Sequence, residues 1–117
     1  MHRYKELEVW KKAVKLSLEI YKLTQQFPSE EKYGLVSQMR RSSVSIASNI
    51  AEGAGRNTNG EFGQFLGIAQ GSAFELETQL FIAMNMEFIS HDKSDEVGTE
   101  IQAISNMIFK LKQSLKS

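Results

Sequence analysis

Hydrophobic residues recur at the spacing of α-helices along the whole chain, and no stretch alternates polar and apolar residues as a half-buried strand does. Four amphipathic segments follow: about Lys5 to Phe27, Ser29 to about Gly53, Thr58 to about Ile89, and Ser94 to about Leu115. The joints between them are short, which makes neighbouring helices antiparallel. The sequence therefore predicts an all-α, up-and-down four-helix bundle that occupies residues 1–117 as one domain.

Residues typical of helix ends mark the joints. Pro28, the one proline, is expected to end the first helix, and Ser29 to cap the second. Glycines at 53 and 55 are expected to end the second helix in a left-handed turn. Thr58 and Glu61 have the spacing of a capping box at the start of the third helix. The polar run at 90–93 is the expected joint before the fourth.

Three of the four helices carry a second apolar stripe besides the one that faces the core. A four-helix monomer buries one stripe per helix, so the second stripes would leave a large exposed apolar patch, and we expect a homo-oligomer. The alternative is that bundle geometry or a loop covers one stripe within the chain. The residues expected at the subunit interface are Leu7, Trp10, Val14 and Tyr21 of helix 1, Val44 and Ala51 of helix 2, and Gly63, Gly67, Gly71, Phe74, Phe81 and Phe88 of helix 3.

Composition limits the surroundings in which such a bundle works. The chain has no cysteine, and its 14 Lys and Arg balance 14 Asp and Glu. Its first residues are polar without an apolar segment behind them, and no apolar run approaches the roughly 20 residues of a membrane span. We therefore expect a cytoplasmic protein with no membrane contact.

Catalytic and metal-binding motifs do not emerge from the pattern. The two histidines, His2 and His91, fall outside the expected helices, and Glu75 and Glu77 lie about 200° apart around helix 3, too far to share one ligand. No phosphate-binding loop follows a strand, and the serines of helix 2 have no nearby histidine base. We expect a non-enzymatic protein without a cofactor, metal or small-molecule substrate.

Basic side chains are the remaining candidates for chemistry. Arg40 lies within the second apolar stripe of helix 2, where a guanidinium needs a carboxylate or a phosphate. Glu75 or Glu77 is the expected protein partner, and a nucleic-acid phosphate is the alternative. The residues expected to contact nucleic acid, if the protein does so, are Lys11, Lys12, Lys15, Lys22, Arg40, Arg41 and Arg56.

Three segments resemble those of a known bacterial family. The run 38–53, QMRRSSVSIASNIAEG, with YKELEVW at 4–10 and GSAFELE at 71–77, is similar to proteins encoded in intervening sequences of 23S rRNA genes. The resemblance implies a four-helix bundle that assembles into a barrel-like homopentamer. It also relates the chain to the accessory protein of diversity-generating retroelements, a pentamer that partners a reverse transcriptase and binds nucleic acid.

The sequence thus predicts an oligomeric helical scaffold or adaptor, with two alternatives for its partner. One is RNA or an RNA-handling protein. The other is a protein–protein interaction module with no nucleic-acid contact. A zero net charge does not favour the first, because Lys and Arg contacts to phosphate dominate nucleic-acid affinity.

Overall fold

Four α-helices make up most of the structure, a computed structural model that describes residues 2–116. They are α1 (Glu8–Thr24), α2 (Leu35–Ala54), α3 (Asn59–Asn85) and α4 (His91–Ser114), with short 3₁₀ turns at Tyr4–Glu6 and Ser29–Glu31. Residues 2–116 contain no strand. The predicted all-α, four-helix fold is confirmed.

Contacts between the helices show an up-and-down arrangement. Each helix packs against the next in sequence, and α4 returns beside α1. In every pair, late residues of one helix meet early residues of the other. Thr24 contacts Arg40, Gly53 lies against Phe62 and Phe65, Lys112 approaches Gly67, and Glu19 approaches Lys93. The bundle is an elongated rod of 45 × 23 × 20 Å.

The core contains the apolar stripes that the helical spacing of hydrophobic residues predicts. Val9, Ala13, Leu16 and Ile20 of α1 are buried. The matching buried residues of the other helices include Met39, Ile46 and Ile50 of α2, Leu66, Ala73, Leu76 and Leu80 of α3, and Val97, Ile101, Ile104 and Ile108 of α4. Burial of these side chains, each worth about 1.5–3 kcal/mol, is the main force that holds the rod together.

The joint between α1 and α2 differs from the prediction. The first helix ends at Thr24, before Pro28, and the second begins at Leu35 rather than at Ser29. Ser29 starts a 3₁₀ turn instead, and the residue at the N-cap of α2 is Gly34. The first free amide of α2, on Leu35, donates instead to the Glu31 carboxylate at 3.2 Å. A carboxylate is a good acceptor there, because the helix dipole favours negative charge at its N-terminus.

The end of α2 also differs, for a reason that concerns packing. Gly55 is the C-terminal cap of α2, and its φ of −83° is right-handed. The predicted left-handed turn is therefore wrong. Gly53 is needed for another reason. A Cβ on Gly53 would lie 2.7 Å from Phe65 Cβ and 2.9 Å from Phe62 Cδ1. The glycine allows α3 to approach the backbone of α2.

Both ends of α3 are defined by specific hydrogen bonds. The Thr58 hydroxyl accepts from the Glu61 amide at 3.1 Å, so the predicted start is confirmed. The helix ends at Asn85 rather than near Ile89, because Glu87 adopts a left-handed φ of 64° and the Phe88 amide turns back to the Ala83 carbonyl. Helix α4 then starts at His91, with Ser90 as its cap rather than Ser94.

Candidate interaction surfaces

The outward side of α3 exposes aromatic rings. Phe74 is 53% exposed and Phe81 is 64% exposed, and both point away from the core. They are seven residues apart, which places them on one side of the helix about 10.5 Å from each other. Two exposed phenylalanines in line on one helix are unusual for a surface that meets only water.

Glycines continue this side of α3 towards its N-terminus. A Cβ added to Gly63 or Gly71 would meet no other atom within 4 Å in the part of the chain that the structure describes. At Gly67 it would meet the tip of the Lys112 side chain, 3.3 Å away. No neighbouring helix of the described chain therefore accounts for Gly63 or Gly71, unlike Gly53, and only the end of a flexible side chain approaches Gly67.

Helix α4 completes this surface. Ser105 and Lys112 border α3: the Ser105 carbonyl accepts from Gln70, and Lys112 Nζ lies over Gly67. Phe109, 51% exposed, lies one turn from each of them, on the same edge of α4. We call the surface formed by Gly60, Gly63, Gly67, Phe74, Phe81, Phe109 and Lys112 the α3–α4 face. The predicted interface included no residue of α4, so Phe109 was missed.

The second stripes of α1 and α2 are partly covered within the chain. Leu7, Trp10 and Val14 are half-buried and pack on the core, and the Tyr4 ring meets that of Trp10 edge-on at 5.1 Å. The 3₁₀ turn that carries Tyr4 therefore covers part of this stripe. Two other predicted interface residues are exposed, Tyr21 and Val44, while Ala51 is half-buried.

Phe88 lies apart from the other two phenylalanines predicted with it. It follows the left-handed turn at Glu87, so its side chain is half-buried, and its ring lies 5.5 Å from that of Phe27 at the edge of the core. Helical spacing placed Phe88 in line with Phe74 and Phe81, but the helix ends before reaching it.

Arg40 has a different partner from the one expected. Its Nε donates to the Thr24 hydroxyl at 3.0 Å and its NH2 to the Tyr21 carbonyl at 3.2 Å. Its guanidinium also lies 4.7 Å from the centre of the Tyr21 ring. The carboxylate of Glu75 accepts from Ser42 instead, at 3.0 Å. Arg40 therefore links α2 to the end of α1.

The residues predicted to contact nucleic acid do not form one patch. Lys11, Lys15 and Lys22 are exposed on the outer side of α1. Lys12 and Lys15 line a small groove with Glu100. Arg41 is exposed on α2, and Arg56 pairs with Glu52 at 3.0 Å, with its guanidinium against the Phe65 ring. Lys11, Lys15 and Lys22 therefore share one exposed side of α1, and Lys12 lies beside Lys15 at its edge.

Three carboxylates meet where α1 and α4 pack together. Ligand atoms of Glu19, Glu96 and Glu100 lie within 4.8 Å of one another. Burial, followed by the hydrogen bond and charge of Glu19, raises the pKa of Glu100 from 4.5 to about 6. Lys93 Nζ approaches Glu96 at 3.4 Å and Glu19 at 3.9 Å, which offsets part of the negative charge.

Comparison with known proteins agrees with the three segments that carry the family resemblance. The profile of the 23S rRNA-intervening sequence protein family matches residues 5–110. The chain belongs to this family. None of the curated proteins matches it.

A solved structure supports the same fold. It is a protein of unknown function from the S23 ribosomal protein family of Bacteroides thetaiotaomicron, with 22% sequence identity and a TM-score of 0.80. The match covers 89% of this chain and 97% of that one. None of the described helices is both long and apolar enough to cross a membrane.

Proposed function

We propose that this protein is a cytoplasmic, non-enzymatic scaffold that works by self-association through its α3–α4 face. The exposure of Phe74 and Phe81, in line on the outer side of α3, is the observation that carries the proposal. Burial of one phenylalanine side chain is worth about 1.5–3 kcal/mol. Five copies are the assembly that the family resemblance implies.

The small residues of the same surface support this proposal. A helix-interior glycine costs about 1 kcal/mol relative to alanine, and α3 carries three with open space above at least two of them. Without side chains at these positions, a helix of another copy can come close. That contact offsets the cost of the glycines, but only in an assembly. The exposed ring of Phe109 enlarges the apolar area at the same edge.

Molecular mass in solution tests the proposal. Light scattering during size exclusion at micromolar concentration should give about five times the 13.2 kDa mass of the chain. A monomer at that concentration would refute self-association, whereas another multiple would correct only the number of copies.

Contact with RNA, directly or through an RNA-handling protein, is a second candidate function. The observation that favours it is the shared exposed side of Lys11, Lys15 and Lys22 on α1. An assembly would repeat this side in every subunit, so that modest local charge adds up although the chain is neutral. The names of the family and of its structural neighbour refer to 23S rRNA and to a ribosomal protein family.

Salt dependence separates RNA binding from the alternative of protein contacts alone. Fluorescence anisotropy with a structured RNA should give a log affinity that falls linearly with log salt concentration. Replacement of Lys11, Lys15 and Lys22 by Gln should flatten that slope, by about one for each phosphate that the variant no longer binds. Replacement of three other exposed lysines by Gln, at Lys5, Lys32 and Lys110, changes the net charge by the same amount. This control variant should keep a steeper slope than the variant changed at Lys11, Lys15 and Lys22. Without binding at low salt, the protein-only adaptor is the function to keep.

A further inference from the structure

We propose that the exposed side of α1 binds RNA as a single strand rather than as a duplex. The phosphates of the strand contact Lys11, Lys15 and Lys22. A base of the strand stacks on the pair formed by Tyr21 and Arg40. The proposal rests on the RNA contact that is the second candidate function above, and it names the class of RNA and the side chains that distinguish it.

An apolar and aromatic row lies beside the lysines of α1. At 100° per residue, Lys11, Lys15 and Lys22 fall within about 40° of one another around the helix. Leu18 comes next, and Tyr21 lies about 60° beyond Leu18. Leu18 is 60% exposed and Tyr21 is 42% exposed. This arc of α1 contains no acidic residue, so it offers cations for phosphates and apolar surface for bases.

Positions along the helix axis match the two rows to each other. Lys11 and Lys15 are about 6 Å apart along the axis, and Lys15 and Lys22 about 10.5 Å. Tyr21 lies only about 1.5 Å from the level of Lys22, so a phosphate at Lys22 brings its own nucleotide beside the Tyr21 ring. Lys11 pairs with Glu8 at 3.2 Å, but both side chains are exposed, and an exposed ion pair of this kind is weak.

The Tyr21 ring and the Arg40 guanidinium form a platform that exists before any ligand binds. The guanidinium lies over the ring, 4.7 Å from its centre. Hydrogen bonds from Arg40 to the Thr24 hydroxyl and to the Tyr21 carbonyl hold it there. Unpaired bases stack on aromatic rings and on arginine guanidinium planes, so both groups are suitable partners for a base. Because the groups are already ordered, a base that stacks on them does not have to immobilise them.

A single strand can use this platform and a duplex cannot. In a duplex the bases stack on one another, so that mainly phosphates, sugars and groove edges reach a protein surface. In a single strand the faces of the bases are accessible, and one stacking contact with an aromatic side chain strengthens binding about tenfold or more. Every base has an aromatic face, so we expect little dependence on the sequence of the strand.

A comparison of matched RNAs is the first test. A fluorescent single strand of about 12 nucleotides and the duplex of the same sequence are titrated with the protein at one low salt concentration. Fluorescence anisotropy should show at least about tenfold tighter binding of the single strand, although the duplex carries twice as many phosphates.

The variant Tyr21→Leu tests the position of the base. It removes the ring but keeps an apolar side chain at an exposed position, so the variant should fold. It should weaken binding of the single strand about tenfold and leave binding of the duplex unchanged. The slope of log affinity against log salt concentration should also stay the same, because stacking releases no counterions. Replacement of the three lysines, in contrast, changes that slope.

Tyr33→Leu is the matched control. Tyr33 is 88% exposed, and the Lys32 ammonium lies over its ring at 5.4 Å, so it too is a tyrosine paired with a cation. It follows Glu30 and Glu31 in the connection between α1 and α2, where the carboxylates repel a phosphate. Tyr33→Leu should therefore leave binding of the single strand unchanged.

The combined results decide between the outcomes. A preference for the single strand that Tyr21→Leu removes and Tyr33→Leu does not supports the proposal. Equal binding of the two RNAs, or a preference that survives Tyr21→Leu, overturns it and leaves the RNA contact standing. An equal loss in both tyrosine variants also overturns it. If neither RNA binds at low salt, the RNA contact itself is wrong. A smaller mass of Tyr21→Leu in light scattering would assign the ring to a contact between subunits and overturn the platform.

Discussion

The side of α3 that faces α2 and the side that faces outward beside α4 both combine small residues with aromatic rings. Towards α2, the chain fills the surface itself. A Cβ on Gly53 would lie 2.7 Å from Phe65 Cβ, and the Ser45 and Ser72 hydroxyls lie 2.8 Å apart. On the outward side, a Cβ on Gly63 would meet nothing within 4 Å in the described chain, and Phe81 is exposed.

This difference shows that the same residue types have two uses in one bundle. Glycine in a helix costs about 1 kcal/mol wherever it occurs. At Gly53 the close packing of Phe62 and Phe65 offsets that cost within the chain. At Gly63 the described chain offers no such contact. The cost of this glycine is therefore unexplained unless another molecule packs against it. The outward side therefore has the composition of an interface without its partner.

The largest expected effect comes from a charge placed on the outward side. Phe81→Asp would put an unpaired carboxylate in the proposed contact between subunits, where it costs several kcal/mol. It should strongly reduce self-association, measured as molecular mass against protein concentration. Lys110→Asp, at an exposed position of α4 outside the proposed contact, is the control and should change association by less than about 0.5 kcal/mol. If both variants assemble like the natural protein, the outward side of α3 is not the interface.

Alanine at Gly53 and alanine at Gly63 should change the free energy of unfolding by intermediate amounts and in opposite directions. Gly53→Ala should lower the free energy of unfolding by about 1–3 kcal/mol, because the added methyl overlaps Phe65 and Phe62. Gly63→Ala should raise it by about 1 kcal/mol, because the helix gains alanine's propensity without a clash.

Urea denaturation at one low protein concentration measures both glycine variants, since self-association makes stability depend on concentration. A loss of stability for Gly63→Ala under conditions where the chain is monomeric would contradict the open space described above it.

A smaller effect is expected where α3 ends. Glu87 holds a left-handed φ of 64°, which is unfavourable for a residue with a Cβ. Glu87→Gly should therefore raise the free energy of unfolding by about 1 kcal/mol, measured by thermal or urea denaturation. Glu87→Ala removes the same charge but keeps the Cβ, so it should give no such gain. Equal gains from both variants would assign the effect to charge rather than to backbone conformation.

The smallest expected effect concerns the carboxylates between α1 and α4. The pKa of Glu100 is raised from 4.5 to about 6, mainly by burial and then by Glu19, so the folded protein binds this proton more tightly than the unfolded chain does. The resulting stability is fully present below pH 4.5 and is lost as the pH rises through about 6. Between pH 4.5 and 7, the natural protein should lose stability relative to Glu100→Gln. Partial exposure keeps the difference below about 1 kcal/mol, and urea titrations at the two pH values measure it.

The outward position of Phe74 and Phe81 could be predicted from the sequence because helical periodicity alone decides it. The partner of Arg40 could not, since the Thr24 hydroxyl and the Tyr21 carbonyl come within reach only when the crossing of α1 and α2 is known. Phe109 was missed for a related reason. Its position beside α3 depends on how α4 rotates about its own axis, which the buried stripe of α4 fixes only approximately.

The sequence by itself determined the number of helices, their buried stripes, the capping box at Thr58 and the family. These depend on spacing within one segment and on local hydrogen bonds, which neighbouring residues specify. Tertiary structure decided where α3 ends, because the left-handed turn at Glu87 falls on a residue that gives no glycine signal. It also decided which glycines meet a neighbouring helix, because that depends on the distance between two helix axes. Positions 53 and 63 carry the same residue type, glycine, and only the packing of α2 on α3 distinguishes the two.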